Sequence, residues 1–392
     1  MRKLRKSEFR LLNIIFKEKE ISSCELQKKL KITGAAISRT LKKLEEVGYI
    51  KQVHEKRLNK KGRPRKIVKI NEDFKKVIGV TLGLGFLSIS VANLEGKILE
   101  NKRKKFFIKK NKSLIDLLLE EMSKIISKYS KNEIIGIGVA IHGIVDPFKK
   151  EIILSPFFKW KNLKLGDLLE EKFDIPVILE NNVNAMLNAE NLFGRSKNME
   201  NCLYIYMNNG VGGALKINNS IYRGSRLQAG EIGHYIIDEN SNCVCNCGKV
   251  GCLQFEFSAE NIKLLIANEI EKKFMNKYNI DKYEMKQIYA VTKKYPLLKK
   301  IIERLAMRMG EYIGNLLQVI DVDNVIIAGD IIYTKNIFID SFQKGIDKNL
   351  IKEIQDEKIN VYYTELKDKI EDISSVSLIL KKLFEYDDLI SI

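Results

Sequence analysis

One pattern occurs twice in this chain and limits what it can fold into. Lys76 to Gly85 (KVIGVTLGLG) reads as a strand ending in a glycine turn that leads into a second strand, Phe86 to Ala92. A Leu94-Glu95-Gly96 turn then delivers Lys97-Ile98-Leu99. About 125 residues later Cys202 to Met207 (CLYIYM) passes through Asn208-Asn209-Gly210-Val211-Gly212-Gly213 into Ala214-Leu215-Lys216-Ile217. That segment turns at Asn218-Asn219 and returns as Ile221-Tyr222. Strand, glycine turn, strand, tight turn and strand, met twice, mark an internal duplication. Between the copies Ile134 to Ala140 (IIGIGVA) and Val177 to Glu180 (VILE) have the character of buried strands. Leu114 to Ile126 and Leu165 to Lys172 read as helices. The predicted body is α/β, with two similar lobes and a ligand cleft between them.

The chain has 392 residues, enough for two or three domains at roughly 100–200 residues each. It is 45% hydrophobic and 30% charged, which excludes a disordered chain. No stretch approaches the ~18 apolar residues of a membrane span. MRKLRKSEFR has no apolar core of a secretory leader behind it, so a cytoplasmic protein is expected.

The net charge of +18 is unevenly placed. Residues 1–76 hold 24 Lys and Arg against 9 Asp and Glu, whereas the remaining 316 hold 44 against 41. A basic N-terminal module on a near-neutral body points to a polyanionic partner. In that module Phe9, Leu12 and Phe16 share a helical face, with Leu11 and Ile15 beside it. Ser22 or Ser23 caps a second helix that turns Leu26 and Leu30 inward. Thr33 caps a third, in which Ile37, Leu41 and Leu44 recur at i, i+4 and i+7 before Gly48 ends it.

This is the pattern of a helix-turn-helix, followed by a two-stranded wing through Tyr49-Ile50-Val53 and Ile67 to Ile70. The third helix offers Thr33, Ala35, Ala36, Ser38, Arg39, Lys42 and Lys43 as the face for double-stranded DNA. At the wing tip, Gly62-Arg63-Pro64-Arg65 is held extended by its proline, and Arg63 and Arg65 are suited to a minor groove.

Three motifs follow in order: Glu180-Asn181-Asn182-Val183-Asn184-Ala185, Ala229-Gly230-Glu231-Ile232-Gly233-His234, and Cys245-Asn246-Cys247-Gly248-x-x-Gly251-Cys252-Leu253. Together they resemble the ROK family (repressors, open reading frames, kinases) from about Val77 onward. Residues 1–70 resemble the winged helix of that family's repressor branch. The resemblance implies an α/β fold: a winged helix-turn-helix and a duplicated, two-lobed, actin-like sugar-kinase body. The expected division is 1–73, 74–186 and 187–392, with the C-terminal helix packing back on the first lobe.

One imidazole, His234, and three thiols, Cys245, Cys247 and Cys252, make a tetrahedral donor set typical of zinc. The resemblance implies the same four ligands. A site closed by four protein ligands is structural, because it leaves no open position. Cys243, two residues earlier, is an alternative ligand. Cys24 and Cys202 are expected to be small buried apolar residues.

The resemblance also implies a sugar-binding set: Asn181, Asn182, Glu231, His234 and Gln254. Two of these depart from the family. The catalytic base of the kinases is the Asp of a Glu-Asn-Asp-x-Asn-Ala motif, and Asn182 stands there. Gln254 replaces the Glu that usually follows Gly-Cys-Leu. The phosphate turns depart too. Thr81 stands where an Asp should open the first, and Asn208-Asn209-Gly210-Val211-Gly212 replaces Gly-Thr-Gly-x-Gly. Ala328-Gly329-Asp330 replaces the late Gly-Gly.

An amide takes no proton, and losing a general base costs ~10²–10⁴-fold alone. Phosphoryl transfer is therefore expected to be lost. His142 stands where the family often has Pro, either as a packed loop residue or as a ligand contact. The reading is a sugar-responsive transcriptional repressor. Its partners are an inverted-repeat operator, a sugar or sugar phosphate, and further copies in a homodimer or tetramer. The alternatives are an active kinase with an appended DNA-binding domain and a regulator that answers a protein signal.

Overall fold

A computed structural model describes residues 4–54, 66–106, 114–208, 210–241, 244–245, 247–269, 283–351 and 358–384. The N-terminal module consists of helices Lys6–Glu18, Ser23–Leu30 and Gly34–Val47 and a small antiparallel sheet of Ile21–Ser22, Lys66–Ile70 and Ile50–His54. Its boundaries are set by side chains. Ser22 Oγ accepts from the Glu25 amide at 3.3 Å, and the Glu25 carboxylate accepts from the Ser22 amide at 2.9 Å. This reciprocal cap satisfies two donors that the first helical turn would otherwise leave open. Thr33 Oγ1 accepts from the Ala36 amide at 3.4 Å to start the third helix. Gly48, at φ +101°, ends it in the left-handed region where a side chain would strain.

Leu11, Leu12, Ile15, Leu26, Ile37, Leu41 and Leu44 close the module's core. Phe16, half-buried, packs against the core that holds Leu12 and extends it to the body by stacking on Phe384, with ring centroids 4.2 Å apart. Cys24 departs from expectation, because it faces solvent from the second position of its helix; Cys202 is buried.

The body holds two five-stranded sheets of one topology. The first runs Val177–Asn181, Ile134–Ile141, Lys76–Gly83, Phe86–Asn93, Ile98–Lys105. The second runs Asn360–Tyr363, Asn324–Gly329, Cys202–Met207, Val211–Ile217, Ser220–Tyr222. In each, an antiparallel three-strand meander pairs in parallel, through its first strand, with a later strand, which pairs in parallel with one more. The repeated motif and the repeated sheet are thus one unit used twice.

The last described helix, Ile370–Phe384, lies across the first sheet. Glycines in that sheet admit it: a Cβ on Gly138 would meet the Ser375 carbonyl oxygen at 2.0 Å. The helix answers with small residues, Ser374, Ser375 and Ser377, all buried. Beside it runs Asn182–Phe193, joined by Asn188 Nδ2 donating to Ser377 Oγ at 3.0 Å. The second sheet is covered by the long helix Pro296–Ile320 and its partner Asn336–Asn349.

Candidate effector cleft, metal knuckle and DNA face

The glycine turn of the second copy touches Gln254, and also Val183 and Gly233, which neighbour Asn182 and His234 in the sequence. A Cβ on Gly212 would meet Val183 Cγ2 at 2.8 Å, so the first turn of Asn182–Phe193 rests on it. Gly210 packs against the Gln254 side chain, and Gly233 lies against both Val211 and Gln254. Asn182 and Gln254 are half-buried. Asn181 is half-buried and largely engaged by the chain. Its Oδ1 caps the helix by accepting from the Val183 and Asn184 amides at 2.8 and 3.2 Å, and its Nδ2 donates to the Gly143 carbonyl at 2.8 Å. The second Nδ2 hydrogen has no acceptor among the described residues.

Glu231 opens the short turn Ile232–His234, and its carboxylate lies 3.8 Å from His234 Nε2. The surrounding protein pushes the Glu231 carboxyl above the usual range through desolvation. His142 comes close enough that burial first, and then His234, hold its imidazole below the ordinary value. Its Nδ1 is buried without a hydrogen-bond partner.

Residue-type reasoning assigned no role to the ion pair behind this cleft. Glu180, buried at the end of a first-lobe strand, accepts from Arg223 Nη2 at 2.6 Å and Nε at 3.0 Å. Arg223 follows the second-lobe hairpin, so the pair ties the lobes together. The signal was in the sequence: a carboxylate closing the apolar run VILE requires a partner once buried.

Glu371, in the first turn of the last helix, is bonded from both sheets. Glu371 Oε1 accepts from the Tyr206 hydroxyl at 2.6 Å, and Glu371 Oε2 pairs with Arg103 at 2.8 Å. Asn208 donates to Tyr206 at 3.1 Å, and Thr81 Oγ1 donates to the Glu371 carbonyl at 2.8 Å. Burial, then Glu371, raises the Asp330 carboxyl nearby.

His234, Cys245, Cys247 and Cys252 present ligand atoms that all lie within 4.8 Å of one another. Cys245 Sγ is 3.6 Å from His234 Nδ1, and Cys247 Sγ is 3.7 Å from Cys252 Sγ. A tetrahedron with metal–sulfur bonds of ~2.3 Å and a metal–nitrogen bond of ~2.0 Å has edges of about 3.5–3.8 Å, so these residues fit a metal. Burial pushes the Cys252 thiol up to about 12, so a thiolate there at neutral pH calls for a cation beside it. The knuckle is folded by Gly251, at φ +72°, where any Cβ would meet the Asp238 carbonyl oxygen at 1.7 Å. Tyr312 of the long helix anchors it by donating to the Ile237 carbonyl at 2.9 Å. Cys243 lies outside the described residues.

On the module, Thr33, Ala35, Ala36, Ser38, Arg39 and Lys42 are exposed and Lys43 is half-buried. The alternation follows from Ile37, Leu41 and Leu44 facing the core. Arg63 and Arg65 lie outside the described residues. No helix among the described residues is long and apolar enough to cross a membrane.

The fold therefore defines a winged-helix module joined to a duplicated, two-lobed, actin-like body. Residues 77–380 match the ROK family and residues 4–57 match the MarR family. The chain belongs to the ROK family and carries a MarR-type module at its N-terminus. It is 26% identical to the xylose repressor of Caldicellulosiruptor bescii over 388 residues, 96% of each chain. It is 25% identical to the DNA-binding transcriptional dual regulator NagC of Escherichia coli over 335 residues, 85% of this chain and 82% of that one. Among solved structures, a ROK family transcriptional regulator described as a homolog of the E. coli Mlc protein superposes with a TM-score of 0.80 at 22% identity, covering 96% of both chains. A ROK family glucokinase from Streptomyces griseus, solved with glucose and AMPPNP, gives 0.66 at 22% identity over 77% of this chain and 98% of that one.

Proposed function

We propose that this chain is a sugar-responsive transcriptional repressor whose kinase-like body senses a carbohydrate. The observation that carries the reading is the pairing of a MarR-type module with a ROK body, along a chain that resembles a named xylose repressor over 96% of both lengths. Residues 1–73 bind double-stranded DNA, and 74–186 and 187–392 are the two lobes. Thr33, Ala35, Ala36, Ser38, Arg39, Lys42 and Lys43 face the major groove, and Arg63 and Arg65 reach from the wing. A homodimer or tetramer places two modules on an inverted repeat.

Asn181, Asn182, Glu231, His234 and Gln254 form the effector site. Acceptor-only Glu231 and the bifunctional amides suit the hydroxyls of a sugar or sugar phosphate. His234, Cys245, Cys247 and Cys252 hold zinc, which supplies a rigid frame for the Glu231 turn; His234 Nδ1 faces the metal and Nε2 faces Glu231. A DNA-reading regulator of this kind works in the cytoplasm.

Phosphoryl transfer is absent from this reading. Asn182 takes no proton, and Glu371, held by Tyr206 and Arg103, bonds Thr81, the residue that stands where the family's first phosphate turn opens with an Asp. The effector acts by favouring one arrangement of the lobes, and a switch of this type needs ~1–3 kcal/mol of coupling.

Two assays on one panel of pentoses, hexoses, amino sugars and their phosphates test this. Calorimetry should find a compound that binds, while a coupled assay with ATP and Mg²⁺ finds no turnover of it. Turnover at ~1 s⁻¹ or more, an ordinary enzyme rate, would make the protein a kinase instead.

A further inference from the structure

We propose that helix Asn182–Phe193 is the lever that carries the effector signal to the DNA-binding module, and that it delivers the signal through the ring of Phe193 on Phe16. This rests on the reading above and names its internal route. The helix begins against the second copy's glycine turn. Asn181 caps it, and Val183 lies against Gly212, so a change in how the glycine turn meets the first lobe reaches this end first.

Val183 to Glu190 and Leu192 are buried. A close-packed helix of 12 residues, about 18 Å long, moves as one body. Its far end is held as firmly. Glu190, fully buried, accepts from the Arg195 amide at 2.7 Å and from Thr364, which fixes the turn that follows.

At that end the body meets the module. Phe193 sits edge-on to Phe16 with ring centroids 6.0 Å apart and planes at 72°. Phe16 in turn stacks on Phe384 at 4.2 Å and 14°. Lys197, just past the helix, donates to the Lys17 carbonyl at 3.2 Å. Leu11, Leu12 and Ile15 of the module belong to the same continuous core as Met186, Leu192, Leu383 and Phe384 of the body. That continuity leaves no slack to absorb a displacement. Because Leu12, Ile15, Leu41 and Leu44 pack in that core too, moving the first helix moves the helix that faces DNA.

The test uses the full chain, with DNA from immediately upstream of its own gene. The probes are D-xylose, D-glucose, N-acetyl-D-glucosamine and N-acetyl-D-glucosamine 6-phosphate. In the wild type the effective sugar should change the DNA Kd by ~5–150-fold. Phe193→Leu and Phe16→Leu should each keep sugar affinity within about threefold and cut that factor to under a third of its value. The double variant should fall no further than either single one, as expected for one shared contact. Phe193→Tyr, which keeps the ring, should retain the factor. If Phe193→Leu melts, Phe16→Leu removes the same contact from the other side. Undiminished coupling in both Leu variants overturns the lever and leaves the repressor standing. A wild type that binds DNA but answers none of the four sugars overturns the sugar reading, and the lever with it.

Discussion

At the scale of single residues, the metal knuckle gives the sharpest expectation. Cys247 is an exposed ligand, whereas Cys245 and Cys252 are buried. Cys247→Ser therefore perturbs little packing and removes one thiolate. Metal analysis should find about one zinc per wild-type chain and much less in the variant, with a lower Tm. A variant that melts like the wild type would show the metal to be dispensable.

A second residue reports on charge. Lys102, then Lys124, with Lys104 beside them, hold the Glu121 carboxyl at about 2. A depressed carboxyl stabilises the fold above its unfolded value of ~4.5 and loses that contribution as pH falls toward 2. Glu121→Gln should cost about 1–2 kcal/mol in urea unfolding at pH 7, given the solvent around those lysines. The cost should shrink by pH 3.

That His234, Cys245, Cys247 and Cys252 come together was legible because a His and three Cys at short spacing have few other uses. The Glu180–Arg223 pair was half legible: the apolar run around Glu180 called for a partner, but Arg223 lies 43 residues away and only the tertiary fold brings it there.

At the scale of elements, the module was read almost to the residue because its signals are local. Caps at Ser22 and Thr33, a stop at Gly48 and a 3.6-residue stripe need no tertiary information. The contact that local signals could not supply is the one between Phe16 and Phe384, whose residues lie far apart in the sequence.

The recognition helix carries its own prediction. Arg39 is exposed on the face opposite Ile37, Leu41 and Leu44. Arg39→Ala should weaken binding to the specific site by ~1–3 kcal/mol, roughly 5–150-fold, and leave sugar binding and Tm unchanged. Fluorescence anisotropy beside calorimetry checks both halves. An unaltered DNA Kd would move the DNA face elsewhere.

For the whole molecule, the duplication explains why one chain can be a regulator built like an enzyme. One sheet topology is used twice, and the second copy's glycine turn packs against Val183 of the first lobe and against Gln254. The repeat was visible in the sequence, because both meanders carry glycines at the same place. The last helix's seat on the first sheet follows only once Gly79 and Gly138 are seen to make room for Ser375. From that seat Glu371 bonds Tyr206 of the second sheet through its carboxylate and Thr81 of the first through its backbone carbonyl.

The most direct test is fluorescence anisotropy on DNA from immediately upstream of this chain's own gene, at fixed salt and with the sugar panel added in turn. The account predicts sequence-specific binding in the ~10⁻⁸–10⁻¹¹ M range that one sugar or sugar phosphate alters at least fivefold. Binding that never rises above the salt-sensitive level of unrelated DNA would contradict it.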